Sequence, residues 1–85
     1  MFYTYILRLS NGKYYIGQTN NLLNRLNRHQ SGQATYTKKF LPCELVYSEQ
    51  FTSRSEAMRR EKYLKSLKDR TLIEKLINNG GGPIV

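Results

Sequence analysis

The chain has 85 residues, of which 39% are hydrophobic and 24% charged, and its formal net charge is +8. That length holds one core rather than two, and no apolar run approaches the ~20 residues of a membrane helix. One cysteine, Cys43, and one histidine, His29, exclude an internal disulfide and a structural zinc centre, while the charge favours a polyanionic partner, nucleic acid before an anionic membrane surface or an acidic protein.

Phe2 to Leu9 is aromatic and β-branched with no breaker, and reads as a strand. Tyr3, Tyr5, Leu7 and Leu9 share one face, and Phe2, Thr4, Ile6 and Arg8 the other. Asn11-Gly12 signals a hairpin returning through Lys13 to Gln18. A two-residue turn would set Arg8 opposite Tyr15 and split the two tyrosines between faces. A three-residue loop, Ser10-Asn11-Gly12 with Gly12 left-handed, sets Leu7 opposite Tyr15 and Tyr5 opposite Gly17, so both tyrosines share a face. The three-residue loop is the expectation, with the bare Gly17 leaving room beside the Tyr5 ring. The N-terminus lacks the basic region, apolar stretch and cleavage site of a signal peptide, so the expected compartment is the reducing cytoplasm.

Thr19-Asn20-Asn21 offers caps for a helix to about Ser31, with Gly32 as its stop. Its inner stripe is expected at Leu22, Leu23 and Leu26, with Arg25 and His29 four apart on one flank and Arg28 outward. Gln33 to Pro42 carries no period and reads as a basic, hydroxyl-rich loop. Cys43 to Phe51 alternates as a third strand, with Leu45, Tyr47 and Glu49 against Glu44, Val46 and Ser48. Ser53-Arg54-Ser55-Glu56 is a capping-box pattern opening a second helix to about Leu67. Its apolar marks are Ala57, Met58, Tyr63, Leu64 and Leu67, and Glu61 falls on or beside that stripe. The other acids are expected in solvent. Asp69-Arg70-Thr71 opens a last helix through Leu72, Ile73, Leu76 and Ile77. The predicted order is β-β-α-β-α-α, an α+β domain with a three-stranded, mostly antiparallel sheet over residues 1–79, and residues 80–85 as a loose tail.

Two phenols (Tyr5, Tyr15), a guanidinium (Arg25), an imidazole (His29) and a carboxylate on or beside a buried stripe (Glu61) together suit phosphodiester hydrolysis. Arg25 can neutralise the phosphate with its planar donors. Glu61 answers either to a structural ion pair or to Mg²⁺, which keeps most of its waters and takes one or two carboxylates. Tyr15 or His29 can accept or relay the water's proton. A phenol with an ordinary pKa near ~10 needs a cation or a metal-bound hydroxide nearby to act as a base at neutral pH.

This ordered set resembles the GIY-YIG nuclease superfamily, in particular its small single-domain branch, similar to the catalytic domain of the excision-repair nuclease subunit. Tyr3-Thr4-Tyr5 stands where the family has Gly-Ile-Tyr, and Tyr15-Ile16-Gly17 is its second half unaltered. Arg25 looks like the first-helix arginine, His29 sits where members carry His or Tyr, and Glu61 resembles the metal-binding glutamate. The resemblance implies divalent-metal-dependent cleavage of DNA, with Mg²⁺ or Mn²⁺ on Glu61, Tyr15 as general base, Tyr5 positioning water or base, Arg25 on the phosphate, and His29 binding phosphate or relaying a proton.

The pattern departs from the family in places. The first triplet keeps only its tyrosine, and Gln18 stands where repair-type members have a lysine that lowers the phenol's pKa. The family's late asparagine has only Asn78 or Asn79 as counterpart. Without the extra DNA-binding domain of larger members, affinity is expected from Lys38, Lys39, Arg54, Arg59 and Lys62 on phosphates, independent of sequence and sensitive to salt. The alternative is a nucleic-acid-binding module that uses the fold without catalysis. No small-molecule ligand and no membrane contact are expected, and oligomeric state is not readable.

Overall fold

The computed structural model describes residues 1–32, 37–67 and 69–79. The stretch 33–36, Lys68 and the expected tail at 80–85 lie outside the described residues. The elements follow the predicted order. Strand β1 spans Phe2–Arg8, β2 Tyr14–Thr19 and β3 Glu44–Phe51, while helix α1 spans Leu22–Gln30, α2 Arg54–Ser66 and α3 Arg70–Asn79. A single 3₁₀ turn, Thr37–Phe40, stands where the sequence carried no period.

The strands pair in the order β2-β1-β3, and every pairing is antiparallel. β1 is central, which explains its unbroken run of buried residues from Thr4 to Leu7. The hairpin has the three-residue loop. The Leu9 amide donates to the Lys13 carbonyl at 2.8 Å, the Gly12 amide donates to the Leu9 carbonyl at 2.9 Å, and Gly12 has φ +83°. Tyr5 therefore opposes Gly17 and Leu7 opposes Tyr15.

Two apolar clusters lie on the two faces of the sheet. On one, Tyr5, Leu7, Leu9 and Cys43 pack with Tyr15, Leu22, Leu26 and Phe40, so α1 and the 3₁₀ turn cover this face. On the other, Ile6, Val46, Tyr47, Leu64 and Ile73 pack with Ile16, Leu67 and Leu76, from α2 and α3. α2 is anchored to the central strand by a buried hydrogen bond in which Thr4 Oγ1 donates to the Ala57 carbonyl at 2.8 Å. A bond of this kind contributes ~1 kcal/mol net.

The caps sit where the sequence put them. Asn21 caps α1, its side chain accepting from the Asn24 amide at 3.0 Å, and Gly32 follows its end with φ +82°. Ser53 caps α2, accepting from the Glu56 amide. Glu56 returns the contact through its carboxylate, which receives the hydroxyls of Ser53 at 2.9 Å and Thr52 at 3.0 Å.

Several expectations fail on particular residues. Leu23 is 72% exposed, outside the inner stripe of α1, because the face beneath that helix is filled by Leu22 and Leu26. Met58, Tyr63 and Leu72 are also exposed, the stripes of α2 and α3 being narrower than their apolar content. β3 does not alternate throughout. Its register against β1 shifts between Ile6 and Leu7, which pair with Tyr47 and Leu45, so Val46 is an extra residue. Leu45 and Tyr47 consequently serve opposite faces. Glu49, expected in solvent, is half-buried: Arg60 Nε donates to it at 2.7 Å and the Tyr47 hydroxyl at 2.5 Å.

Candidate active site

The three-residue turn puts Tyr5 and Tyr15 on the face covered by α1, as diagonal neighbours with ring centroids 6.4 Å apart. Gly17 makes the pairing possible. A Cβ built there would lie 2.6 Å from the Tyr5 hydroxyl oxygen and 2.7 Å from the ring carbon bearing it, so the phenol lies in the space a side chain would take. His29, two turns along α1 from its cap, closes the group from above. Its ring is edge-on to Tyr15 at 5.0 Å and to Tyr5 at 5.9 Å, and its Nε2 shares a hydrogen bond with the Tyr5 hydroxyl at 3.1 Å.

Tyr5 and His29 are both buried, at 2% exposure each. Burial, then the neighbouring Tyr15, pushes the Tyr5 phenol far above its ordinary pKa, with Arg25 acting against the rise and Glu61 adding to it. Burial, then the charges of Arg25 and Arg28, pushes His29 below its ordinary value. The hydrogen-bonded pair is therefore neutral on both sides at neutral pH. The hydrogen bond to His29 holds the Tyr5 hydroxyl in place.

This has a measurable consequence. Below about pH 6.5 the unfolded imidazole takes up a proton that the folded one refuses. The unfolded state then binds more protons, so stability falls as the pH drops, until the folded His29 titrates as well. Urea midpoints followed by circular dichroism from about pH 7.5 down to about 5 are expected to decline, and His29→Gln is expected to flatten that decline. An unchanged slope in His29→Gln would assign it to other groups.

Arg25 is half-buried on α1, with its charge acting on both Tyr5 and His29. Glu61 comes from α2, between the buried Ala57 and Leu64, and its charge also reaches Tyr5. Tyr5, Tyr15 and His29 are thus in mutual contact, and the charges of Arg25 and Glu61 reach Tyr5. Glu61 is not unpaired: Lys65, one turn on, holds its Oε2 at 2.7 Å. Sequence reasoning missed that partner, although the four-residue spacing was legible.

The cations expected on phosphates come from two elements, the 3₁₀ turn and α2. Lys38 and Lys39 are exposed on the 3₁₀ turn, on the α1 side, and Phe40 ties that turn to the hairpin by accepting from the Ser10 amide at 2.9 Å. Arg59 and Lys62 are exposed on α2. Arg54, at the start of α2, lies 5.0 Å over the Phe2 ring and donates to the Gln18 side chain at 3.4 Å. A cation thus sits beside residue 18, although Gln18 itself points to the face away from Tyr15. Asn78 lines a groove with Arg8, Tyr14 and Glu74, apart from the two phenols, and the side chain of Asn79 lies outside the described residues.

A sequence model of the GIY-YIG catalytic domain matches residues 1–75. The chain belongs to the GIY-YIG family. Similar to it is a UPF0213 protein of Streptococcus agalactiae, 47% identical over 64 residues, or 74% of this chain and 73% of that one. A UPF0213 protein of Pediococcus pentosaceus is 41% identical over 80 residues, covering 93% of this chain and 84% of its own. The solution structure of a UPF0213 protein from Bacillus halodurans has 40% identity and a TM-score of 0.62, with 98% of this chain and 89% of that one covered. GIY-YIG domains are generally those of nucleases, acting on nucleic acid with divalent metals.

The residues present suit such a metal in one way only. Among the described residues no three His, Cys, Asp or Glu side chains gather into a cluster. A closed zinc-type cage is therefore not offered here, whereas a hard cation that keeps its waters can rest on the single carboxylate of Glu61.

Proposed function

We propose that this chain is a divalent-metal-dependent endonuclease that hydrolyses phosphodiester bonds in DNA with low intrinsic sequence specificity. The supporting observation is the cluster of Tyr5, Tyr15 and His29, with the charges of Arg25 and Glu61 reaching Tyr5. Tyr15, at the edge strand and less buried than Tyr5, takes the general-base role, and the neutral Tyr5–His29 pair fixes its surroundings. Arg25 stabilises the charge that develops on the phosphate. Glu61 would hold Mg²⁺ or Mn²⁺, which when bound neutralises the phosphate and the departing oxygen. Lys38, Lys39, Arg54, Arg59 and Lys62 supply sequence-independent attraction to the backbone. A role in DNA repair, in the cytoplasm, belongs to the same reading.

The Glu61–Lys65 ion pair favours a second reading, a nucleic-acid-binding module without catalysis, since a carboxylate already matched by an ammonium has less call for a metal. One experiment separates the two. Single- and double-stranded DNA is incubated with purified protein and Mg²⁺ or Mn²⁺, beside Glu61→Gln and Arg25→Ala. The nuclease reading expects cleavage by wild type, its loss on chelation, and a fall to background in both variants. Tight binding with no turnover in either metal would establish the module instead.

A further inference from the structure

Beside Tyr15, on the edge of β2 left open by the sheet order, runs a groove of about 410 Å³ between β2, the end of α2 and α3. Its floor is apolar, built from Ile16, Leu64 and Ile73. Its rim carries three cations from separate parts of the chain, Lys13 after the hairpin turn, Lys65 on α2 and Arg70 on α3. None of the three is among the five cations named above as expected on phosphates. Arg70 lies 5.2 Å over the Tyr14 ring, and Glu74 accepts from its Nε at 3.1 Å.

We infer that this groove receives an unpaired nucleotide adjoining the phosphate presented to Tyr15. The inference rests on the nuclease reading and adds a substrate preference to it. The chemistry is that of a single strand. An apolar floor is satisfied by a base face only when the base has left its stack, and a guanidinium over a tyrosine ring is a platform on which such a base stacks. The phosphates on either side then meet Lys13 and Lys65. An intact duplex keeps its base faces stacked inside and offers this floor nothing. The carboxylates nearby do not prevent binding. Lys65–Glu61 and Arg70–Glu74 are pairs four residues apart on helices with exposed cations, at 56% side-chain exposure each, and such pairs are weak and screened by salt.

The test uses the whole chain in EDTA, so that binding is read without turnover. Amide shifts are followed by NMR on adding a twelve-residue oligothymidine, a duplex of equal length, or vesicles of anionic lipid. The expected result is oligothymidine-dependent shifts concentrated at Lys13–Ile16 and Leu64–Ile73, weaker with duplex and absent with vesicles. Fluorescence anisotropy with Lys13→Gln and Lys65→Gln combined is expected to lower the slope of log affinity against log salt by about 1.4, at roughly 0.7 for each single-strand phosphate contact removed. Shifts confined to Lys38–Lys39 and Arg54–Lys62, equal response to duplex, or a response to vesicles alone would each overturn the inference. Groove binding without cleavage once Mg²⁺ or Mn²⁺ is restored refutes the nuclease reading and leaves the groove assignment standing.

Discussion

Gly17→Ala is expected to lower the melting temperature by roughly 5–15 °C. Two effects oppose each other at this position. A glycine inside a strand is ordinarily worse than alanine by roughly 0.5–1 kcal/mol, because it loses more backbone freedom on folding. Against that, the new methyl would sit 2.6 Å from the Tyr5 hydroxyl oxygen and 2.7 Å from the neighbouring ring carbon. The ring cannot step aside, since it is buried at 2% exposure, hydrogen-bonded to His29 and packed beside Tyr15. Overpacking of a filled core costs about 1–3 kcal/mol and occasionally more. For a domain this small each kcal/mol moves the midpoint by about 4–8 °C. The steric term wins. Calorimetry on Gly17→Ala tests it, with the same change in a Tyr5→Leu background as the control. In that background the penalty should largely vanish, because the obstructing phenol is gone. A midpoint within a few degrees of wild type in the single variant would mean that the phenol has somewhere else to go.

The second large effect concerns Tyr15→Phe. If Tyr15 takes the proton from water, removing its oxygen costs about 10²–10⁴ in cleavage rate, the usual worth of a positioned base. The ring remains, and with it the edge-on contact to His29 and the tilted contact to Tyr5, so the melting temperature should stay within a few degrees of wild type. Tyr5→Phe is the informative contrast. It strips a buried hydrogen bond from His29, and a buried group left unsatisfied costs about 1–3 kcal/mol. The two tyrosines should therefore separate by readout: Tyr15→Phe inactive but stable, Tyr5→Phe less stable. Near-normal cleavage by Tyr15→Phe, at metal concentrations where Glu61→Gln is inactive, would move the base to another group.

The sequence carried most of the candidate site because its residues lie on short-range features. Turn chemistry at Ser10-Asn11-Gly12 sets the hairpin register, and the register decides that Tyr5 and Tyr15 share a face. Asn21 and Gly32 bound α1 and so fix where Arg25 and His29 emerge. What escaped the sequence depends on contacts across the fold. Arg60 and Tyr47 find Glu49 from different elements, and no local pattern pairs them. Leu23 has the hydrophobicity of a core residue, yet only the placement of α1 over the sheet decides that it faces water. The open edge of β2, with Lys13, Lys65 and Arg70 around it, exists only once α2 and α3 are packed on the second face.

The extra residue at Val46 has a wider effect than a local kink. It reverses the parity of β3 partway along. Up to Leu45 the odd-numbered side chains face the same way as Tyr5 and Leu7, whereas from Tyr47 onward the odd-numbered ones face the way of Ile6. One strand thereby divides its allegiance between two cores. The carboxylate that steadies Arg60 owes its side of the sheet to a single inserted residue two positions before Ser48. Tolerance to polar substitution along this strand should accordingly follow two phases, with the change of phase at Val46 and not at either end of the strand.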